Sequence, residues 1–191
     1  MVITLFQLAD SEIEKLFKQL LKLLGENPNR EGLRDTPKRM TKAWREWLRA
    51  YQEPNFEVKT FPSKYSGMVL RKDIPFISTC EHHMAQYTGF IDFAYIPNGR
   101  VIGLSKIPRI LQHYSSKLSV QEDLTDELVN KFESFFPIKN KPKGSMIIIK
   151  AKHSCESSRG IKVVASTITS ALRGIFHTDQ PARYEALRLL E

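Results

Sequence analysis

The sequence has little cysteine, no long apolar run and no repeated or low-complexity tract. Its 191 residues include two cysteines, Cys80 and Cys155, too few for the disulfide framework of a small secreted domain. No stretch approaches the roughly 20 consecutive apolar residues that a transmembrane helix needs. Residues 1–6 have neither the basic region nor the cleavage site of a secretion signal. These absences favour a folded cytoplasmic protein and argue against a secreted or membrane protein.

What is present is an ordinary globular composition with a surplus of positive charge. Hydrophobic residues make up 41% and charged residues 26% of the chain, which is typical of a folded domain. The 29 Lys and Arg exceed the 21 Asp and Glu, and the net charge is +8. Such a surface favours anionic partners: nucleic acid, an acidic membrane or a phosphorylated small molecule. A basic surface that only aids solubility explains the charge equally well, because the basic residues form no block.

Apolar periodicity predicts an N-terminal helical region, residues 1–56, and a domain of helices and strands, residues 57–191. A helix is expected over residues 11–24, with Ser11 and Glu14 as a capping box, and a second helix begins at Thr36 and Pro37. Further predictions are strands over 87–96, 101–102, 145–153 and 161–169, an Asn-Gly hairpin turn at 97–99, helices within 106–118 and 121–136, and a helix over 182–190. This order predicts an α+β fold with a mainly antiparallel sheet.

Both cysteines lie beside histidines, which indicates a metal site. Cys80 begins a Cys-Glu-His-His segment that ends at His83, and Cys155 ends a His-Ser-Cys segment that begins at His153. A thiolate and an imidazole three residues apart can reach one ion, and zinc accepts sulfur and nitrogen ligands in tetrahedral geometry. The set Cys80, His83 and Cys155 would leave a fourth position for water, as in catalytic zinc sites. Two inert, buried thiols are the alternative interpretation.

Several basic and polar residues are candidates for binding an anionic substrate. The candidates for phosphate are Ser105, Lys106, Arg109 and Arg159. The first three lie at the predicted start of a helix, where backbone N–H groups and the helix dipole favour phosphate. Gln121 and Glu122 open the next predicted helix. A carboxylate there could accept two hydrogen bonds from a guanine-type N–H edge, or serve only the helix start.

A series of motifs runs through nearly the whole chain. They are Glu-Gly-Leu-Arg-Asp-Thr-Pro-Lys-Arg-Met at 31–40, Cys-Glu-His-His at 80–83, Tyr-Ile-Pro-Asn-Gly at 95–99, Gly-Leu-Ser-Lys-Ile at 103–107, Val-Gln-Glu at 120–122, His-Ser-Cys at 153–155, Arg-Gly at 159–160 and Thr-Ser-Ala-Leu at 169–172. In order and spacing they resemble GTP cyclohydrolase I of the zinc-dependent type. The resemblance implies a tunnelling fold, in which a four-stranded antiparallel sheet carries two helices on one face behind an N-terminal helical region. It also implies a toroidal homodecamer with sites at subunit interfaces.

The resemblance further implies a hydrolase that converts GTP and water to 7,8-dihydroneopterin triphosphate and formate, the first step of tetrahydrofolate and pterin biosynthesis. Zn²⁺ held by Cys80, His83 and Cys155 would activate the water that attacks C8 of guanine. The ring then opens, formate leaves, the ribose undergoes an Amadori rearrangement and a new ring closes. The implied catalytic residues are His82, His153 and Ser105. The implied substrate-binding residues are Gln121 and Glu122 at the guanine edge, and Lys106, Arg109, Arg159 and Lys42 at the triphosphate.

Some positions differ from the family pattern, but none of these differences replaces a residue that has an implied role. Glu156 stands where most relatives have an apolar residue, and Gln86 stands where many have proline. The negative charge of Glu156 beside the thiolate of Cys155 could weaken triphosphate binding or change how the protein tunes the reactivity of the metal. Pro108 is tolerated only within the first turn of its helix.

Other functions compete with this one. A zinc nucleoside deaminase would need His-x-Glu and a later Pro-Cys-x-x-Cys, and a nucleic-acid-binding module would need a basic stripe or a known motif. The sequence has none of these, so we expect GTP as the partner and neither nucleic acid nor a membrane. A diverged tunnelling-fold enzyme, acting on another purine nucleotide or feeding a deazapurine pathway, is the alternative that stays open.

Overall fold

A computed structural model describes the chain from Ile3 to Glu191, with side chains described from Ala9 onward. The helices are α1 (Ile3–Leu23), α2 (Thr36–Trp47), α3 (Lys106–Ser115), α4 (Gln121–Glu133), α5 (Ser154–Ser157), α6 (Ile175–Thr178) and α7 (Gln180–Leu190). The strands are β1 (Thr60–Pro62), β2 (Val69–Cys80), β3 (Gln86–Ile96), β4 (Arg100–Ile102), β5 (Leu118–Ser119), β6 (Gly144–His153) and β7 (Thr167–Gly174). Within residues 3–191, every helix is too short or too polar to cross a membrane.

The chain divides into two compact units, one that ends at Leu48 and one that comprises Arg49–Glu191. In the smaller unit, Arg45 of α2 donates a hydrogen bond from Nε to Asp10 Oδ1 of α1 at 2.8 Å. The capping box predicted at Ser11 and Glu14 is wrong, because α1 begins upstream and the backbone N–H groups near Ser11 are already inside the helix. Helix α2 begins at Thr36, as predicted.

The larger unit contains the main sheet, with the strand order β5-β2-β3-β6-β7. β2, β3, β6 and β7 are antiparallel neighbours, and β5 adds two residues parallel to the end of β2. Helices α3 and α4 contribute core residues against one face, among them Ile107, Ile110, Leu124, Leu128 and Phe132. The predicted α+β fold, with a four-stranded antiparallel sheet and two helices on one face, is confirmed.

The opposite face of the sheet is covered at one end by the C-terminal helices. Side chains alternate between the two faces of a strand, so Phe93 packs in the core beneath α3 and α4 while Ala94 belongs to a second cluster. Phe176 of α6 and Leu190 of α7 close that cluster. The C-terminal helix, predicted over 182–190, therefore anchors the second face.

Two predictions about strands are wrong. The chain turns at Asn98-Gly99, but β4 pairs with β1 and not with β3; the hairpin partner of β3 is β2, a strand that the sequence patterns do not single out. The strand predicted over 161–169 begins only at Thr167. Ile161 and Val164 are exposed, so apolar character there does not reflect burial in the sheet.

Candidate active site

Antiparallel pairing brings the two cysteine-containing segments to one edge of the sheet. β2 and β6 flank β3 and both run antiparallel to it, so the carboxyl ends of β2 and β6 meet at the start of β3. Cys80 is the last residue of β2, and His153, the last residue of β6, pairs with Tyr87 near the start of β3. Cys80 also pairs with Ser119 of β5, which brings the start of α4 to the same edge.

A tight turn after β2 places His83 over Cys80. Met84 N donates to Cys80 O and Cys80 N donates to Ala85 O, both at 2.8 Å, and Met84 has a positive φ of 52°. On the other side, the Ser154 hydroxyl donates to the carbonyl of Gln86, which ties α5 to the start of β3. These contacts hold the two segments that carry the cysteines close to the start of β3.

The donor atoms of Cys80, His83 and Cys155 all lie within 4.8 Å of one another. Cys80 Sγ is 3.7 Å from His83 Nδ1, which matches the roughly 3.5–3.8 Å between sulfur and nitrogen ligands around a tetrahedral zinc. Burial and the neighbouring Cys80 raise the pKa of the Cys155 thiol, and a bound ion would displace its proton. The three side chains therefore form a group that could hold a metal ion.

The ring of His153 is fixed on two sides. It stacks on Tyr87 with a centroid separation of 4.5 Å and an interplanar angle of 8°. Its Nε2 lies 2.8 Å from Gln121 Oε1. Burial lowers the pKa of His153, and the charges of Glu156 and Glu122 act in the opposite direction. The ring thus lies within the electrostatic reach of both carboxylates while its orientation is set by neutral partners.

Gln121 and Glu122 are adjacent in sequence but lie in opposite environments. Gln121 is only 1% exposed, and its Nε2 lies 3.2 Å from Ile149 O, 3.1 Å from Thr167 O and 3.0 Å from Thr169 Oγ1. Glu122 is exposed in the first turn of α4. The structure therefore places Gln121 inside the protein and leaves the carboxylate of Glu122 available to a ligand.

The remaining predicted site residues are mostly exposed. In the larger unit, Lys106 is half-buried, and the exposed residues are His82, Ser105, Arg109 and Arg159. The His82 side chain is 64% exposed, with its Nε2 3.9 Å from Glu81 Oε1, and the Lys106 ammonium lies 6.0 Å from the centre of the Phe56 ring. Ser105 precedes α3 without capping it through its side chain, and Pro108 lies in the first turn, as required. Lys42 is exposed on α2 of the smaller unit.

Residue-type reasoning does not single out Tyr87, although it contacts His153. Its hydroxyl lies 2.9 Å from Ser119 Oγ, which in turn lies 3.1 Å from Ser78 Oγ. From the sequence alone, an aromatic residue in a predicted strand is interpreted as part of the hydrophobic core. Only the register between β3 and β6 shows that Tyr87 faces a histidine.

Comparison with known proteins places these observations in a family. Residues 13–191 match the family model described as GTP cyclohydrolase I. The GTP cyclohydrolase 1 of Campylobacter curvus is 40% identical, and the match covers 93% of each chain. That of Mycolicibacterium vanbaalenii is 42% identical over 98% of this chain and 94% of its own. The bifunctional protein FolKE of Lactococcus lactis is 44% identical over 94% of this chain and 52% of its own length. A solved structure of an archaeosine synthase QueF-Like protein has a TM-score of 0.41 at 17% identity and covers 56% of this chain and 96% of its own, a likeness too weak to support any argument.

Proposed function

The chain belongs to the GTP cyclohydrolase I family, and from that premise we propose which residues carry out its reaction. The protein is a GTP cyclohydrolase that acts in folate and pterin synthesis. We propose that its products are 7,8-dihydroneopterin triphosphate and formate. The observation that carries the proposal is the convergence of Cys80, His83 and Cys155, whose donor atoms lie within 4.8 Å of one another.

Zn²⁺ is the metal that we propose for this cluster. Two sulfur donors and one imidazole nitrogen suit zinc, and three protein ligands leave a fourth position open. Bound zinc would supply the Lewis acidity that activates water for attack on C8 of guanine. Cys80 is buried and His83 is exposed, so the protein holds one side of the metal position and leaves the other accessible to substrate.

His153 is the residue that we propose to move a proton at the guanine ring. Burial lowers its pKa, which favours the neutral ring that can accept a proton near neutral pH. His82 is next to the metal ligand His83 on the exposed side of the turn, with ring centroids 6.3 Å apart, and we assign it a supporting proton-transfer role. The Ser105 hydroxyl, which does not cap its helix, is assigned to proton transfer at the sugar during the Amadori rearrangement.

Glu122 is the residue that we propose to select guanine. Its exposed carboxylate could accept two hydrogen bonds from N–H groups of the base, whereas adenine would leave the carboxylate facing an acceptor. The motif alone implies that Gln121 lies at the same edge. The triphosphate would be held by Lys106, Arg109 and Arg159, and by Lys42 from the N-terminal region.

Self-association is supported by one edge of the sheet. β7 is an edge strand of the main sheet, and the nearby residues Ile161, Val164 and Ile168 are exposed. Unpaired strand edges and exposed apolar residues favour contact between chains. These features support self-association, and we propose the toroidal homodecamer because the family resemblance implies it. Sedimentation of the purified protein measures the mass of the assembly directly. The cytoplasmic location stays a prediction.

The test follows formate and the pterin chromophore during incubation of purified, metal-analysed protein with GTP. We expect both products, with about one zinc per subunit. Cys155→Ser should lose metal and both products together, whereas Ser158→Ala, an exposed position on the same segment, should keep them. A protein that binds no zinc, or a Cys155→Ser variant that retains both metal and turnover, would overturn the proposed site. Formate without pterin would locate the failure at the sugar rearrangement, around Ser105.

A further inference from the structure

The orientation of the Gln121 side-chain amide is determined by its neighbours. Two of them, Ile149 O and Thr167 O, are backbone carbonyls that can only accept hydrogen bonds. The amide oxygen would be repelled there, so the amide nitrogen must face them. Gln121 is 1% exposed, and a reversed amide would leave buried groups without hydrogen-bond partners, which is unfavourable.

A pair of threonines independently indicates the same orientation of the Gln121 amide. Thr125 Oγ1 donates to Gln121 O at 2.6 Å, which uses its only hydrogen. Thr125 Oγ1 must therefore accept from Thr169 Oγ1, which lies 2.6 Å away. Having given its hydrogen to Thr125, the Thr169 hydroxyl is left as an acceptor for Gln121 Nε2, at 3.0 Å. All three neighbours of Nε2 are thus acceptors.

With the nitrogen placed, Gln121 Oε1 is the atom that meets His153. Oε1 lies 2.8 Å from His153 Nε2, and an amide oxygen only accepts. His153 Nε2 must therefore carry a hydrogen, whether the ring is neutral or charged. In the neutral ring the lone pair is then on Nδ1. Stacking on Tyr87 at 4.5 Å fixes the plane of the ring, and the hydrogen bond to Gln121 fixes its rotation in that plane.

We propose that Gln121 is a positioning residue, which holds His153 in the Nε2–H tautomer and presents Nδ1 as its proton-exchanging nitrogen. Gln121 does not contact the guanine base, because both ends of its amide are used within the protein. Glu122 alone then reads the guanine edge. This inference rests on the proposed role of His153 in proton transfer, but the tautomer itself does not depend on that role.

The direct test is the tautomer of His153 in the intact zinc-loaded enzyme. Solid-state ¹⁵N spectra of protein labelled at its 5 histidines distinguish protonated from unprotonated ring nitrogens, and a His153→Asn spectrum identifies the His153 signals. We expect a protonated Nε2 and an unprotonated Nδ1 at pH values where the ring is neutral. A wild-type spectrum with the proton on Nδ1 would overturn the inference without any mutation.

The kinetic test uses Gln121→Met, which keeps the side-chain length and removes both the donor and the acceptor. We expect kcat for formate release to fall roughly 10- to 100-fold, part of the 10²–10⁴ that a general acid–base group contributes, with the KM for GTP changed less than about 3-fold. The matched control is Gln112→Met on α3, whose amide donates to Pro75 O at 2.8 Å and which should keep wild-type kinetics.

The outcomes separate this inference from the proposed function. A rise in KM with kcat unchanged in Gln121→Met would mean a substrate contact and would refute the positioning role. An active wild type, an inactive His153→Asn and a fully active Gln121→Met would refute the inference alone. A wild-type enzyme that releases no formate from GTP would refute the proposed function, while the spectra would still decide the tautomer. A thermal melt of Gln121→Met separates unfolding from a kinetic effect.

Discussion

We propose His153 and Glu122 as members of the same site, yet the protein holds them in opposite ways. His153 is stacked on Tyr87 and hydrogen-bonded to Gln121, and we call these three residues the sheltered side. Glu122 and Arg159 are exposed, and within residues 9–191 neither side chain makes a hydrogen bond or ion pair. We call this pair the open side.

The difference agrees with the roles that we propose for the two sides. A proton moves efficiently only between groups held in the right geometry, and burial with complete hydrogen bonding fixes that geometry. A charged group that must bind a hydrated triphosphate or a base edge gains little from burial, because desolvating an ion costs several kcal/mol without a partner. We therefore expect substitutions on the sheltered side to lower kcat and those on the open side to raise KM.

The largest effect should come from His153→Asn on the sheltered side. Removal of a positioned acid–base group lowers kcat by about 10²–10⁴, with the KM for GTP nearly unchanged. The rate of formate release under saturating GTP measures kcat. His177→Asn, an exposed histidine on α6, is the matched control. If His153→Asn instead raised KM and left kcat intact, the contrast between the two sides would be lost.

A smaller effect is expected from Glu122→Gln on the open side. Hydrogen bonds to a charged group contribute about 1.5–3 kcal/mol, so kcat/KM for GTP should fall about 10- to 150-fold, mainly through KM. The preference for GTP over inosine triphosphate, which lacks the 2-amino group, should shrink. Asp123→Asn, the neighbouring exposed carboxylate, should change neither value. An unchanged preference in Glu122→Gln would remove this residue from base recognition.

The smallest effect is expected from Arg159→Ala. An exposed ion pair contributes about 0.2–1 kcal/mol, so the KM for GTP should rise only about 1.4- to 5-fold. The rise should diminish with added salt, because salt screens exposed charges. KM measured at two ionic strengths tests this, with Arg188→Ala on α7 as control. An effect that is independent of salt would argue against an electrostatic contact with the triphosphate.

Local patterns predicted the parts of the fold that depend on neighbouring residues. The starts of α2 and α4, the position of Pro108 in the first turn of α3 and the end of β6 at His153 agree with the structure. One failure concerns strand partners. The chain turns at Asn98-Gly99, as predicted, but β4 pairs with β1, because a turn signal indicates a change of direction and does not identify the neighbouring strand.

Residue types and their spacing indicate which chemical groups the candidate site contains: two cysteines beside histidines, a guanine-compatible carboxylate and several basic residues, carried on an α+β chain. The positions of these groups relative to one another depend on the folded chain. Cys80 and Cys155 converge because β2 and β6 flank β3, both run antiparallel to it, and their carboxyl ends therefore lie at the same edge. Gln121 and Glu122 separate because residues adjacent at the start of a helix point in directions about 100° apart, one toward the sheet and the other toward solvent. Periodicity encodes burial, whereas pairing depends on contacts between residues far apart in the chain.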